Sequence, residues 1–163
     1  MGVPIEYFEE NHPLGTGGAL LIISKKINED FLVINGDTYF DISLEKLKKF
    51  KSKLKCGIVM SLFENTKIDR YGQVIIDELN WVKRIKKSKK KLSNFANGGV
   101  YLMDPSVIIN NIKNFDRKCS LEKYILPYLI SKKQIAAAVM EKAKFIDIGV
   151  PSDYIRASEY LKI

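Results

Sequence analysis

The sequence predicts a single α/β domain over residues 1–163, with layers of helices around a mixed, mostly parallel sheet. Predicted strands and helices alternate along the chain, which is typical of this class. The continuous apolar run Phe31-Leu32-Val33-Ile34 is typical of a central parallel strand buried on both faces. A chain of 163 residues with 46% hydrophobic content is also large enough to bury a substantial core.

Each element in the first half is predicted from its apolar pattern and from the residues that bound it. Ser43 is a suitable N-cap, and Glu45 and Lys46 open the helix behind it. The expected elements are a strand at 3–8, a loop at 15–18, helices at 19–27 and 44–53, and strands at 31–34 and 57–63.

The second half continues the alternation. Two apolar runs joined at 78–80 predict a hairpin, and Pro105 suits the first turn of a helix. We expect strands at 72–77, 81–85, 100–103, 135–140 and 145–148. We expect helices from 104 to about 115, from 120 with an interruption near Pro127, and from 151 to 161.

Composition excludes several kinds of protein. No apolar run approaches the roughly 18 residues of a membrane-spanning helix, and the first ten residues do not resemble a secretory signal. The two cysteines, Cys56 and Cys119, and the single histidine, His12, argue against a disulfide framework, a cysteine zinc site or a histidine triad. We therefore expect a cytoplasmic protein whose chemistry depends on carboxylates, lysines and backbone amides.

The net charge of +8 favours anionic partners, and much of it is concentrated in one run. Seven of the nine residues at 83–91 are basic. Such a run suits a solvated loop, a phosphate-facing surface or a nucleic-acid-binding surface. Nucleic acid is the least favoured partner because no aromatic residue interrupts the run.

A glycine-rich segment precedes the first predicted helix. Its sequence is Pro13-Leu14-Gly15-Thr16-Gly17-Gly18, in which glycines fill three of the last four positions. Such a segment exposes backbone N–H groups and lets a flat or anionic ligand approach closely. A simple turn between a strand and a helix would have the same pattern.

Two aspartates follow predicted strands and are candidate metal ligands. Asp37 follows the run at 31–34 in Asn35-Gly36-Asp37, and Asp147 lies in Phe145-Ile146-Asp147-Ile148-Gly149. The carboxyl ends of strands form the usual ligand edge of an α/β sheet, and carboxylates there suit Mg²⁺. A turn or cap aspartate is the alternative at each position.

A fourth segment, Asn97-Gly98-Gly99-Val100-Tyr101, places an amide and two glycines before a predicted strand. An amide can recognise sugar hydroxyl groups, because it both donates and accepts hydrogen bonds. A β-bulge or a plain turn is the alternative.

Together these segments resemble the sugar-1-phosphate nucleotidyltransferases, and most closely the heptose-1-phosphate and mannose-1-phosphate guanylyltransferases. The resemblance rests on an ordered set of motifs over essentially the whole chain. They are Pro13-Leu14-Gly15-Thr16-Gly17-Gly18-Ala19, Asn35-Gly36-Asp37, Arg70-Tyr71-Gly72, Asn97-Gly98-Gly99-Val100-Tyr101, Ser120-Leu121-Glu122-Lys123 and Ile146-Asp147-Ile148-Gly149-Val150-Pro151-Ser152-Asp153-Tyr154.

The resemblance implies a Rossmann-like nucleotide-diphospho-sugar transferase fold. It also implies a reaction in which a nucleoside triphosphate and a sugar 1-phosphate give an NDP-sugar and pyrophosphate. The likeness to the guanylyltransferases implies that the nucleoside triphosphate is GTP. By the same resemblance, Asp37 and Asp147 would hold Mg²⁺, and Lys87 would contact the sugar phosphate. The segment Pro13 to Gly17, with Gly15 nearest, would face the nucleobase. Tyr71, Gly72, Asn97 and Gly98 would line the sugar, and Glu122 would face its hydroxyl groups. Gly36 would also contact the substrate.

The sequence departs from the family pattern in two places. Lys86-Lys87 stands where the family has Glu-Lys. The family's first strand and its Gly-Gly-x-Gly-x-Arg-Leu loop have no counterpart, which predicts an N-terminally truncated sheet. We therefore expect either a separate N-terminal segment that complements the chain or a homo-oligomer that covers the exposed strand edge.

Three functional classes remain open from the sequence. The first is a nucleotidyltransferase, whose activity in this chain by itself is an open question. The second is a non-catalytic remnant that binds NDP-sugars. The third is a basic nucleic-acid-binding protein, whose affinity would fall steeply with salt.

Overall fold

The computed structural model describes residues 2–66, 70–112 and 118–161. The chain order of its elements is α1 (Gly15–Ser24), β1 (Phe31–Ile34), β2 (Thr38–Phe40), α2 (Leu44–Leu54), β3 (Ile58–Glu64), β4 (Gln73–Ile76), β5 (Val82–Lys86), β6 (Phe95–Met103), α3 (Pro105–Ile112), a π-helical turn (Leu121–Ile125), α4 (Leu126–Ser131), β7 (Ile135–Val139), β8 (Phe145–Asp147) and α5 (Pro151–Leu161).

Within these described ranges, six strands form the main sheet, and β2 and β8 form a second, two-stranded sheet. The order in the main sheet is β5-β4-β6-β3-β7, and β1 also pairs with β6. The predicted α/β class and the mixed sheet are confirmed. The expected predominance of parallel pairing is wrong for the described strands, since β3 and β7 alone run parallel. An apolar run carries no information about strand direction.

The strand β6 organises the sheet because several strands pair with it. Its C-terminal half lies between β1 and β3, and its N-terminal end pairs with β4. Consecutive residues of β6 enter different hydrophobic clusters: Tyr101 and Met103 join one, and Val100 and Leu102 join the other. The alternation places a packed layer on each face of the sheet.

The two hydrophobic clusters complete a layered α/β domain. On one face, Leu20 of α1, Ile108 of α3 and Leu129 of α4 pack with the sheet. On the other face, Leu47 of α2 and Phe40 of β2 pack with it. The small β2–β8 sheet therefore belongs to the same layer as α2.

The strand β1 has the predicted bounds but not the predicted burial. Its residues are partly buried or exposed, and the side chain of Ile34 is 58% exposed. Within the described part of the chain its sole strand partner is β6, so the outer edge of β1 is unpaired. The continuous apolar run therefore marks an edge strand here and not a central one.

Several predicted elements are confirmed because their signals are local. The Ser43 hydroxyl accepts a hydrogen bond from the Lys46 N–H, as an N-cap does. The hairpin of β4 and β5 turns through Asn80, which has a φ of 65°. The last helix covers residues 151–161, as expected. Residue 115, the expected end of the helix that begins near Pro105, lies outside the described residues.

The predicted strand at 3–8 is wrong. Residues 2–14 contain no helix or strand, and the side chains of Val3 and Tyr7 are 82% and 84% exposed. An alternating apolar pattern forms a strand only beside another strand that satisfies its backbone. The described residues place none there.

Two element boundaries also differ from expectation, and one strand was not expected at all. The helix α1 begins at Gly15, so the predicted loop at 15–18 is its first turn. The strand β6 begins at Phe95, so Asn97-Gly98-Gly99 lies within it and not before it. The strand β2 was not predicted, since a strand of three residues has too little periodicity to detect.

Candidate functional site

The carboxylates of Asp37 and Asp147 meet at Gly149, although 110 positions separate the two aspartates in the sequence. A Cβ atom built on Gly149 would lie 3.1 Å from Asp147 Oδ1 and 3.2 Å from Asp37 Oδ2. The two side chains therefore face the same point. A side chain on residue 149 would fill the space between them.

Pairing of β2 with β8 brings the two aspartates together. Thr38 lies opposite Asp147 in the register of this small sheet. One step further on, the Ile148 N–H donates to the Asp37 carbonyl oxygen at 2.8 Å. Since Asp37 directly precedes β2 and Asp147 ends β8, antiparallel pairing fixes both at the same end of the sheet.

Local hydrogen bonds orient both carboxylates. The Gly149 N–H donates to Asp147 Oδ1 at 3.0 Å, and the Thr38 hydroxyl donates to Asp37 Oδ1 at 3.3 Å. Asp37 is exposed and Asp147 is partly buried. The pair therefore lies at the surface, where an ion or a ligand could reach it.

Arg70 connects Asp147 to the last helix. Its guanidinium donates to the Asp147 carbonyl oxygen at 3.2 Å and lies 3.6 Å from Asp147 Oδ2. It also forms a close ion pair with Asp153, whose side chain is 7% exposed and also contacts Arg156 at 3.3 Å. Arg70 thus holds both the backbone and the carboxylate of Asp147 against α5.

The ion pair with Asp153 further stabilises the positive charge that an arginine side chain already carries. Burial by itself lowers the pKa of Arg70. The hydrogen bond to Asp153 and the negative charges of Asp153 and Asp147 outweigh burial and raise that pKa above its ordinary value. Arg70 therefore remains a permanent cation beside Asp147.

Sequence reasoning assigned no role to Arg70 or Asp153. Both lie within motifs that carried the family resemblance, Arg70-Tyr71-Gly72 and Pro151-Ser152-Asp153. Their presence in these motifs was the signal in the sequence that could have marked Arg70 and Asp153 as site residues. The sequence offered no indication that a cation at position 70 would reach an anion 83 residues away.

The predicted glycine-rich segment packs closely against the chain at residue 119. The Gly17 N–H donates to the Cys119 carbonyl at 2.9 Å, and the Cys119 N–H donates to the Leu14 carbonyl at 2.9 Å. A Cβ on Gly15 would lie 2.7 Å from that Cys119 oxygen, and Gly15 has a φ of +72°. Close packing against Cys119 therefore requires glycine at position 15, independently of any ligand. Pro13, the first residue of this segment, is exposed.

Glu122 joins this segment through Thr16. The Thr16 hydroxyl donates to Glu122 Oε2 at 3.2 Å and accepts from the Leu121 N–H at 2.8 Å. The Ser120 hydroxyl also donates to Glu122 Oε2 at 3.2 Å. These bonds hold an exposed carboxylate at the start of the π-helical turn.

An open groove brings several predicted residues together. It has a volume of about 840 Å³ and runs between α1 and the unpaired edge of β1. Its apolar wall includes Leu20 and Phe31. Its polar rim is formed by Thr16, Asn35, Gly36, Asp37 and Glu122. Three separate motifs therefore share one groove, with Asp37 linking it to Asp147.

Asn97 and Gly98 have packing roles in the structure. The Asn97 amide nitrogen donates to the hydroxyl of the fully buried Tyr101, and Asn97 Oδ1 accepts from the Gly99 N–H at 3.1 Å. A Cβ on Gly98 would lie 2.1 Å from a ring carbon of Phe40. Burial raises the pKa of Tyr101 far above its ordinary value, so its hydroxyl stays protonated.

Tyr71, Gly72 and Lys87 form a second group next to Arg70. The Tyr71 ring contacts Phe63 and Phe145, at centroid distances of 5.3 and 5.6 Å, and lies under the Arg70 guanidinium at 4.9 Å. A Cβ on Gly72 would lie 4.0 Å from Lys87 Cγ. The structure therefore links this group to Asp147 through Arg70.

The two aspartates suit a magnesium ion by their chemistry. Mg²⁺ is commonly held by one or two carboxylates, and substrate phosphates and water complete its shell. Asp37 and Asp147 supply two carboxylates over a glycine that leaves their common point free. The described residues contain no cluster of three or more His, Cys, Asp or Glu side chains that could hold an ion by protein ligands alone.

None of the helices in the described ranges is long and apolar enough to cross a membrane.

Known proteins resemble this chain over almost its full length. The model of the family described as "Nucleotidyl transferase" matches residues 1–162. A D-glycero-alpha-D-manno-heptose 1-phosphate guanylyltransferase from Campylobacter jejuni is 38% identical, covering 94% of this chain and 66% of the relative. A protein of the same description from Aneurinibacillus thermoaerophilus is 32% identical, covering 99% of this chain and 69% of the relative.

The crystal structure of HddC from Yersinia pseudotuberculosis superposes with a TM-score of 0.75 and 35% identity. That match covers 93% of this chain and 64% of HddC, and a second HddC structure is a complex with GMP-PN. The chain thus spans about two thirds of the length of the Campylobacter and Yersinia proteins. Since the family model matches nearly every residue, this chain belongs to the nucleotidyl transferase family.

Proposed function

We propose that the chain supplies most of the active site of a guanylyltransferase. The reaction transfers GMP from GTP to a sugar 1-phosphate of the manno type and yields a GDP-sugar and pyrophosphate. The convergence of Asp37 and Asp147 over Gly149, at the rim of the groove, is the observation that carries this proposal. The Campylobacter and Aneurinibacillus relatives, both D-glycero-alpha-D-manno-heptose 1-phosphate guanylyltransferases, support the choice of nucleotide and sugar.

Positioning and charge neutralisation dominate such a reaction, because the sugar phosphate oxygen attacks the α-phosphorus and displaces pyrophosphate directly. Asp37 and Asp147 hold Mg²⁺ in this proposal, and the ion, when bound, neutralises charge on the reacting phosphates. Arg70 fixes Asp147 so that its Oδ1 faces the same point as Asp37 Oδ2. Glu122 accepts hydrogen bonds from sugar hydroxyls, and Lys87 contacts the sugar phosphate.

The backbone at the start of α1 is proposed to face the nucleobase. The segment from Pro13 to Gly17 lies beside Glu122 and beside the groove. Its Thr16 donates a hydrogen bond to Glu122 and also lines the groove. Backbone N–H groups that are free at a helix start can bind the edge of a base without a specific side chain. Guanine is assigned from the relatives and not from these side chains.

The test measures divalent-ion binding and turnover in matched variants. Asp37→Asn and Asp147→Asn remove one proposed ligand each, and Asp41→Asn is the control, since Asp41 is an exposed aspartate at the other end of β2. Electron paramagnetic resonance of Mn²⁺ should show binding weakened by at least about tenfold in the first two variants and unchanged in the control. Equal Mn²⁺ binding in all the proteins would refute the metal site.

Turnover is measured as pyrophosphate release from GTP and mannose 1-phosphate. In the first arm the chain is assayed by itself. In the second arm it is mixed with the part of the Campylobacter relative that has no counterpart in this chain. The second arm tests whether a separate segment completes the site along the open edge of β1, where the groove lies. Binding of GDP-mannose without turnover in either arm would favour the non-catalytic alternative.

A further inference from the structure

The side chain of Gln73 is fully buried and makes four hydrogen bonds to one loop. Its Nε2 donates to the carbonyl oxygens of Ser88 and Lys90, both at 2.9 Å. Its Oε1 accepts from the N–H groups of Leu92 and Ser93, at 2.6 and 3.0 Å. An amide has two N–H donors and one oxygen with two lone pairs, so these four bonds use its full capacity.

The loop held in this way is the basic segment singled out in the sequence. Lys87, Lys89, Lys90 and Lys91 are exposed along it. Like charges so close together repel each other and favour an open chain. The buried amide opposes this repulsion by drawing the backbone of the loop inwards while the lysine side chains point to solvent.

Ser93 secures the far end of the loop. Its hydroxyl donates to the Val74 carbonyl at 2.6 Å and accepts from the Phe95 N–H at 3.1 Å. The loop is therefore fastened to β4 through Gln73 and through Ser93. Such a closed arrangement is not that of a solvated loop without tertiary contacts.

The same anchor determines where Lys87 lies. Gln73 is paired with Lys86 in the β4–β5 hairpin, so the loop begins one residue after that pair. Gly72, which precedes Gln73, has no side chain to cover Lys87, whose Cγ lies 4.0 Å from the position of a Gly72 Cβ. The backbone of Lys87 is thus held between the last pair of the hairpin and the fastened loop, and its side chain is exposed.

We propose that Gln73 is a positioning residue, which closes the basic loop and thereby holds Lys87 beside Gly72 for the phosphate of the sugar substrate. The role of the phosphate rests on the proposed function, whereas closure of the loop does not. Gln73 touches no reacting atom and acts through the backbone of residues 88–93.

Trypsin tests the closure directly, because it cleaves after lysine. The variant Gln73→Met keeps the length of the side chain and loses all four hydrogen bonds. Val74→Ala is the matched control, since Val74 is fully buried next to Gln73 and its loss destabilises the protein without touching the loop bonds. Well below the melting temperature, we expect cleavage at residues 86–91 to be at least about tenfold faster in Gln73→Met and within about twofold of wild type in Val74→Ala.

Binding of mannose 1-phosphate tests the consequence for Lys87. Calorimetry should show at least about fivefold weaker binding in Gln73→Met, while Mn²⁺ binding stays within about twofold of wild type. Should Gln73→Met fail to fold, Ser93→Ala removes the second fastening and is expected to speed cleavage by about threefold.

The outcomes separate this proposal from the proposed function. Equal cleavage of wild type, Gln73→Met and Ser93→Ala would overturn the role of Gln73. Faster cleavage with unchanged mannose 1-phosphate affinity would overturn its link to Lys87. A wild-type chain that binds neither mannose 1-phosphate nor D-glycero-alpha-D-manno-heptose 1-phosphate would overturn the proposed substrate, and the cleavage rates would still decide whether Gln73 closes the loop.

Discussion

Replacing Arg70 by methionine is expected to lower the free energy of unfolding by about 3 kcal/mol at neutral pH. The side chains of Arg70 and Asp153 are 23% and 7% exposed, so their ion pair is largely removed from water. Loss of one partner from such a pair costs about 3–5 kcal/mol, because the other charge stays buried without compensation. The lower end applies because Arg156 still lies 3.3 Å from Asp153.

Thermal unfolding followed by circular dichroism measures this effect. For a domain of this size each kcal/mol shifts the melting temperature by about 2–4 °C, so the expected decrease is about 6–12 °C. Arg156→Met is the control, since that side chain is 55% exposed and its pair is expected to contribute at most about 1 kcal/mol. The double variant Arg70→Met/Asp153→Asn should lose less free energy of unfolding than the two single variants lose in sum.

Equal destabilisation by Arg70→Met and Arg156→Met would contradict this expectation. Independent addition of the effects of Arg70→Met and Asp153→Asn would contradict it as well. Either result would mean that Asp153 does not depend on Arg70, and that Asp147 is held in place by its strand pairing instead.

Gly98→Ala should lower the free energy of unfolding by about 1–3 kcal/mol in urea denaturation, because the new Cβ would overlap the Phe40 ring. Gly36→Ala is the control and should be nearly neutral, because nothing lies within 4 Å of a Cβ at position 36. Burial raises the pKa of Asp104, but hydrogen bonds from the first turn of α3 outweigh it and hold that pKa below the ordinary 3.8. The Asp104 carboxylate therefore stabilises the folded protein above pH 3.8, and this effect is lost as the pH falls through its pKa in the folded state. Asp104→Ala should lower the free energy of unfolding by about 1 kcal/mol at pH 7 and by clearly less near pH 3, as measured by urea denaturation at both pH values. Burial raises the pKa of the Cys56 thiol above 9.0, so a thiol-specific reagent at pH 8 should label it at least about tenfold more slowly in the folded chain than in urea.

The correctly predicted elements are those whose signals lie close together in the chain. The helix α2 follows from Ser43 and an amphipathic pattern, and the β4–β5 hairpin follows from two apolar runs around a turn. The strand predicted at 3–8 is wrong because an alternating pattern does not reveal whether a neighbouring strand exists. The same lack of information explains why β1 was expected in the centre of the sheet.

The candidate site divides in the same way. Asp37 and Asp147 were named from their positions after apolar runs, and the pairing of β2 with β8 places them over Gly149. The pattern around Gly15 suggested a ligand loop, but it could not show that α1 starts there against Cys119. A glycine has the same appearance in a sequence whether a ligand or a neighbouring backbone requires it.

The sequence by itself determined the class of fold, the family motifs and the aspartates proposed to bind an ion, because these depend on residue type and order. Only the tertiary structure decided that Arg70 joins Asp147 to Asp153 and that Gln73 closes the lysine-rich loop. Ion pairs and buried hydrogen bonds depend on distances between atoms that the chain brings together only after its strands have paired. No local pattern in the sequence encodes those distances.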